Sequence, residues 1–109
     1  MNLKELVKEI VSQAKELKDK HTDQKKAPVN YVCVFCQNDE EYDELLKLAK
    51  ELGKVVKETN SGQVFEIEPI DTVAGPLDIL KIRKPDKTRP ERGDADFTVD
   101  IILILKQNS

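Results

Sequence analysis

Three aspartates near the end of the chain have a spacing that could bind a cation: Asp94, Asp96 and Asp100. Side chains two or four residues apart on a β-strand face the same way. Their carboxylates could therefore share Mg²⁺ or Ca²⁺, which prefer oxygen ligands. The simpler interpretation is a solvated strand face, because a dedicated cation site needs more oxygen ligands than one strand can place. We favour that interpretation and predict no cofactor, with a divalent cation as the alternative.

A basic segment directly precedes these aspartates. Residues 81–92 carry six cations and two acids, and the cations include Arg83, Arg89 and Arg92. Guanidinium groups bind phosphate and carboxylate in a two-pronged geometry, so these arginines could clamp an anion or contact nucleic acid. Charge runs are also typical of solvated connectors, and two prolines stiffen this one. We favour the connector and keep the anion site as an alternative.

The two cysteines and the single histidine are further residues that could bind a metal or take part in catalysis. Cys33 and Cys36 form a C-x-x-C pair within an apolar run, whereas His21 stands in a polar stretch. On a strand, an i, i+3 spacing directs two side chains to opposite faces. With no second C-x-x-C and no further histidine, the sequence predicts buried structural thiols and not a zinc or redox site. It also lacks a glycine-rich phosphate loop, and we assign no catalytic residue.

The elements that position these residues follow from hydrophobic periodicity. Residues 1–20 carry apolar side chains at helical spacing and predict an amphipathic helix, followed by a polar linker at 21–28. Residues 29–36 predict a buried strand. A second helix follows, capped by Asn38 or Asp39 and ended by Gly53, where a left-handed residue is commonly needed.

The second half of the chain predicts strands joined by turns. Residues 54–58 and 64–70 read as a hairpin with one dry side, followed by a loop at 71–76. Two further strands are predicted at 77–82 and 96–105. A helix between the first two strands implies a crossover, and turns can join the rest. We predict one α+β domain over 1–109: an N-terminal amphipathic helix, then a βαββββ module at 29–105, with a mostly antiparallel sheet and the helices on one face.

Composition limits the class of partner. The chain has 109 residues, 36% of them charged, and a formal net charge of −3; a general nucleic-acid binder would be clearly basic. Lysine greatly outnumbers arginine and tryptophan is missing, as in many heat-adapted proteins. No apolar run approaches the ~20 residues of a membrane span, and the charged N-terminus has no signal-peptide segment. We therefore expect a cytoplasmic protein without a membrane partner.

Four segments follow one another in an order that suggests a family: VNYVCVFC, DEEYDELLKLAKELGKVVKE, NSGQVFEIEPI and LDILKIRKPDKTRPERGDADFTV. They represent a strand, a helix with a short strand, a turn with a strand, and a strand with a proline-rich loop and an acidic strand. This order resembles one βαβββ module of the vicinal oxygen chelate superfamily, the glyoxalase and bleomycin-resistance fold. The resemblance covers about two thirds of the chain.

The resemblance implies a divalent metal held by His, Gln or Glu side chains from strands of two modules, in one chain or across a dimer. The first strand offers Asn30 or Tyr31 where a histidine is typical, and DADF stands where similar proteins read His-x-Glu-Phe. The neutral imidazole that commonly binds zinc or nickel is missing, so the usual metal ligands are not retained. The alternative function is a metal-dependent enzyme using Asp94 and Asp96, with Glu66 or Glu68 from a neighbouring strand.

The last predicted strand is apolar at every position from Ile101 to Leu105. Both faces of such a strand need cover, and helices on one side of the sheet supply only one cover. A second copy of the chain is the simplest cover for the other face, and the N-terminal helix is the alternative. The sequence therefore predicts a homodimer that acts as a non-catalytic binding or assembly module, with its ligand unspecified.

Overall fold

The computed structural model describes residues 2–21, 27–86, 88 and 91–97. These residues form two helices and five strands: α1 (Leu3–His21), β1 (Val29–Phe35), α2 (Asp39–Leu52), β2 (Gly53–Thr59), β3 (Gly62–Thr72), β4 (Gly75–Arg83) and β5 (Gly93–Phe97). The predicted α+β class is confirmed. Residues 22–26 of the predicted linker and 98–105 of the predicted last strand lie outside the described residues.

The strands form one mixed sheet in the order β2-β3-β4-β1-β5. β1 pairs in parallel with β4 and antiparallel with β5, and the β2–β3 and β3–β4 pairs are antiparallel. The parallel pair arises from the crossover through α2, which places β2 at the edge of the sheet, with two strands between it and β1. The β2–β3 and β3–β4 hairpins then bring the chain back, so that β4 lies beside β1. The predicted mostly antiparallel sheet is confirmed, with this one parallel pair.

Both helices pack on the same face of the sheet and enclose one core. Helical spacing places the apolar residues of α1 on one stripe, and its first half is buried. Among the described residues, the hydrophobic side chains with no exposed surface are Val7, Val11, Val32, Val34, Leu45, Ala49, Phe65, Leu77, Leu80 and Ile82. Burying each of the larger side chains contributes about 1.5–3 kcal/mol, so this layer between helices and sheet holds the fold together.

The start of α2 is fixed by Asn38, one of the two predicted caps. Its Oδ1 accepts a hydrogen bond from the Glu41 N–H at 2.8 Å, which satisfies a donor that the first helical turn leaves unpaired. Glu41 in turn accepts from the Gln37 N–H at 3.1 Å. Acidic residues fill this first turn, where the helix dipole favours negative charge.

Gly53 ends α2 as predicted, but the predicted left-handed conformation is wrong. Its φ is −174°, which is extended backbone, and it is the first residue of β2 opposite Ile67. A Cβ built on Gly53 would lie 2.0 Å from the Glu66 carbonyl oxygen. Glycine is therefore required because β3 approaches this backbone closely.

The predicted loop at 71–76 is too long. β3 continues through Thr72 and β4 starts at Gly75, so only Val73 and Ala74 form the turn. Gly75 has φ +99°, a conformation that favours glycine. The Thr72 hydroxyl donates to the Gly75 carbonyl at 2.6 Å and accepts from the Ala74 N–H at 3.1 Å. The segment predicted as a loop therefore contains a tight hairpin turn between β3 and β4.

The predicted dry side of the first hairpin holds for β3 but not for β2. Phe65 and Ile67 are buried while Glu66 and Glu68 are exposed, as predicted. None of the residues of β2 is buried. This strand lies at the outer edge of the sheet, where little of the core reaches it.

Candidate functional site

Three of the predicted site residues, Arg83, Asp94 and Asp96, meet on the face of the sheet opposite the helices. Val32 and Val34 point into the core, so the alternate residues of β1 point to the other face. The strand register adds residues of β4 and β5 beside them. We call this surface the open face and define it by Tyr31, Cys33, Phe35, Lys81, Arg83, Asp94 and Asp96. These side chains line a shallow pocket of about 300 Å³.

Charge on the open face is divided by strand. The cations Lys81 and Arg83 stand on β4, and the carboxylates Asp94 and Asp96 stand on β5. The central strand β1 separates them with uncharged side chains. Cys33 pairs with Lys81 on one side and with Asp94 on the other, so these three residues form one row across the sheet.

The two cations of β4 are held in place by their neighbours. Lys81 Nζ donates to Ser61 Oγ at 2.7 Å. The Arg83 guanidinium lies 5.4 Å from the centre of the Phe35 ring, and its Nη2 is 3.7 Å from Asp86 Oδ2. A guanidinium over an aromatic face is a favourable contact, and it covers the buried Phe35. Both cations are therefore oriented on the surface rather than free to swing.

The two carboxylates of β5 lie side by side and are exposed. Asp96 Oδ2 accepts a hydrogen bond from Asn30 Nδ2 at 3.0 Å, and Asp94 Oδ1 accepts from the Ala95 N–H at 2.9 Å. Asp100, the third predicted ligand, lies outside the described residues. Within the described part of the chain, no group of three or more His, Cys, Asp and Glu side chains could hold a metal ion.

The glutamates suggested as further metal ligands stand apart from this pair. Glu66 and Glu68 belong to β3, and both β4 and β1 lie between β3 and β5. Three strand spacings amount to roughly 14 Å. The structure therefore brings together Asp94 and Asp96, but not the two glutamates.

The predicted anion site is divided between different partners. Arg83 lies on the open face beside Asp86. Arg92 Nη1 instead lies 2.7 Å from Glu41 Oε1, in the first turn of α2. Arg89 lies outside the described residues. Arg83 and Arg92 thus contact two different carboxylates, those of Asp86 and Glu41. The anion site remains a prediction.

The two cysteines occupy opposite faces, as their spacing predicts. Cys33 is 8% exposed on the open face, and Cys36 is 2% exposed in the core. Neither forms a disulfide. Burial raises the pKa of the Cys36 thiol to about 12, assisted by the Glu41 carboxylate and opposed by Arg92. Cys36 is therefore protonated at neutral pH and a poor nucleophile, and the prediction of buried thiols is confirmed.

A groove between α1 and β5 was not predicted as a site. Its volume is about 550 Å³, and its apolar walls include Ile10, Ala14, Leu17, Ala95 and Phe97. Lys18 Nζ lies 5.4 Å from the centre of the Phe97 ring. The length of the apolar stripe on α1 could have revealed this groove. The core buries the stripe only as far as Val11, but the stripe continues to Leu17, which is exposed.

Comparison with known proteins gives no match: no family model matches the chain, and no curated protein or solved structure matches it significantly. The class of the protein therefore follows from its own fold, an α+β domain with a mixed sheet and both described helices on one face. The vicinal oxygen chelate resemblance stays a prediction. Neither described helix has the length and apolar character that crossing a membrane requires.

Proposed function

We propose that the protein is a non-catalytic binding or assembly module of the cytoplasm that acts as a homodimer. In this proposal a second copy covers the open face. The observation that carries it is the one-sided packing of the sheet: α1 and α2 both lie on the opposite face, while Tyr31, Cys33 and Phe35 form an uncharged strip along the middle of the open face. Tyr31 is 44% exposed. A face meant only for water would carry polar side chains along its centre.

The size of the open face is compatible with a dimer interface. Five strands about 4.8 Å apart, each about seven residues long, cover roughly 24 by 23 Å, or on the order of 550 Å² of flat area. Side-chain relief makes the accessible area larger than this projection. A stable interface buries about 800 Å² per partner, so most of the face would take part.

The register of β5 adds a second argument. Phe97 stands opposite Val29, the first residue of β1. The described pairing of β1 with β5 ends at this residue pair. The apolar run 101–105 lies outside the described residues. An exposed segment of this composition would make a monomer prone to aggregate. Contact with a second copy removes that hazard.

Two features support a non-catalytic role. The thiol of Cys36 is protonated at neutral pH, because burial raises its pKa to about 12. The paired carboxylates Asp94 and Asp96 are exposed to solvent, whereas enzymes commonly close their active sites against water. The element order β1-α2-β2-β3-β4 is βαβββ, and proteins of the resembling superfamily combine two such modules, which agrees with a dimer.

The test is the mass of the protein in solution, measured by light scattering at micromolar concentration. We expect twice the chain mass of 12.4 kDa. Tyr31→Glu places a charge at the centre of the open face and should shift the mass towards that of one chain. Val73→Glu is the matched control, because Val73 is 63% exposed but lies in the β3–β4 turn; it should leave the dimer intact. A wild-type protein that is monomeric under these conditions would refute the proposal.

A further inference from the structure

The charges of the open face fit a second copy in one orientation. Lys81, Cys33 and Asp94 stand in one row across three neighbouring strands. With strands about 4.8 Å apart, the backbones of Lys81 and Asp94 lie on either side of Cys33 at roughly equal distances. Arg83 and Asp96 belong to the adjacent rows on the same two strands, so in these rows β4 contributes the cations and β5 the carboxylates.

A twofold axis between two facing sheets can run along the strands or across them. An axis along the strands exchanges left and right, so β4 of one copy faces β5 of the other. An axis across the strands leaves left and right unchanged, so β4 faces β4 and β5 faces β5. Every contact occurs twice in such an interface. The first arrangement therefore makes two Lys81–Asp94 contacts, and the second opposes like charges, which strongly disfavours association.

We infer that the homodimer has its twofold axis running approximately along β1 and close to Cys33, with Lys81 of each copy opposite Asp94 of the other. This inference rests on the proposed homodimer and adds the orientation of its partner. Sheets that pack face to face cross at about 30°, so only residues near the axis stay opposite each other. Lys81 and Asp94 directly flank Cys33 and meet that condition. Tyr31, which is 44% exposed, then lies near the axis inside a charged rim, whereas Phe35 is already covered by Arg83 within each chain.

The same charge pattern favours a second copy over a polyanion. Nucleic acid requires a surface of one sign, and on the open face Asp94 and Asp96 would repel its phosphates. A surface with cations on one side and carboxylates on the other is complementary to itself. The occupant that fits both halves is another copy of this chain.

The test reverses the charges of Lys81 and Asp94, first separately and then together. Lys81→Glu leaves both sides of the row acidic, and Asp94→Lys leaves both sides basic. We expect each variant alone to weaken the dimer about 10- to 100-fold, because like charges then face each other at two places. An equimolar mixture of the two variants should form heterodimers, detected by their mass in native mass spectrometry. The double variant Lys81→Glu/Asp94→Lys should recover the wild-type dissociation constant.

Matched controls separate this inference from the proposed function. Lys47→Glu and Asp43→Lys make the same charge changes on the exposed side of α2 and should leave the dissociation constant unchanged. A monomeric wild type would refute the homodimer itself. A dimeric wild type whose dissociation constant ignores the Lys81 and Asp94 reversals, or a double variant that is not restored, would overturn the orientation alone. If a reversal variant proves unfolded by circular dichroism, Lys81→Gln and Asp94→Asn replace the pair, and each should weaken the dimer severalfold.

Discussion

The chemistry of each cysteine depends on the face to which the backbone directs it. The sequence predicts opposite faces for Cys33 and Cys36 from their spacing on a strand, and the structure agrees. It could not predict that Cys36 lies near the Glu41–Arg92 ion pair. Glu41 is close to Cys36 in the chain, but Arg92 is distant, and only the pairing of β1 with β5 brings it to the same end of β1.

The raised pKa of Cys36 predicts a loss of stability in alkali. The thiol titrates near its ordinary value of 9.0 in the unfolded chain and at about 12 in the folded one. Between these values the unfolded state releases the proton first, so the free energy of unfolding falls as pH rises from about 9 to 12. Below pH 9 the group has no effect. Cys36→Ala should flatten this part of the stability curve measured by urea denaturation.

Cys33→Ala is the comparison for that experiment. It removes the other thiol on the opposite face and should keep the alkaline decline of the wild type. A decline that is equally steep in Cys36→Ala and in the wild type would contradict the assignment to the Cys36 thiol.

At the scale of elements, local sequence predicted the helices well and the strand edges poorly. Helical periodicity and capping residues act within a few positions, so α2 begins and ends where its sequence indicates. The turn at Val73 and Ala74 and the exposure of β2 depend on which strands pair. Sequence spacing contains no information on that pairing. Insertion of β1 between β4 and β5 is likewise a long-range result of the crossover.

The cap of α2 gives a prediction for a single element. Asn38→Ala removes the acceptor of the Glu41 N–H and should lower the free energy of unfolding by about 1 kcal/mol. Asn38→Asp retains an acceptor and should preserve most of the stability. Asp39→Ala changes the other residue that the sequence offered as a cap, and should cost less, about 0.3–1 kcal/mol from the helix dipole. Urea denaturation measures all three, and a larger loss for Asp39→Ala than for Asn38→Ala would contradict the cap.

At the scale of the whole molecule, the fold class and the one-sided helical layer were predictable, because amphipathic patterns decide which elements need a common core. The sequence also identified the chemical types that meet on the open face, namely the aspartates of the last strand and an arginine of the basic segment. It did not indicate that Lys81 shares a row with Asp94. That row exists because β1 separates the two strands, and the proposed orientation of the dimer depends on it.

A metal-dependent enzyme requires Asp94 and Asp96 to attract a divalent cation, and the rest of the open face opposes this. Lys81 and Arg83 line the same pocket, and their positive charges disfavour a dication there. Asp96 also accepts a hydrogen bond from Asn30. We therefore expect millimolar MgCl₂ or CaCl₂ to leave the melting temperature of the wild type unchanged, because a ligand stabilises a protein only by binding its folded state. The matched variant is Asp94→Asn/Asp96→Asn, which should respond to the salts as the wild type does. A melting temperature that rises with either salt in the wild type, and not in this variant, would establish the cation site and support the enzyme over the assembly module.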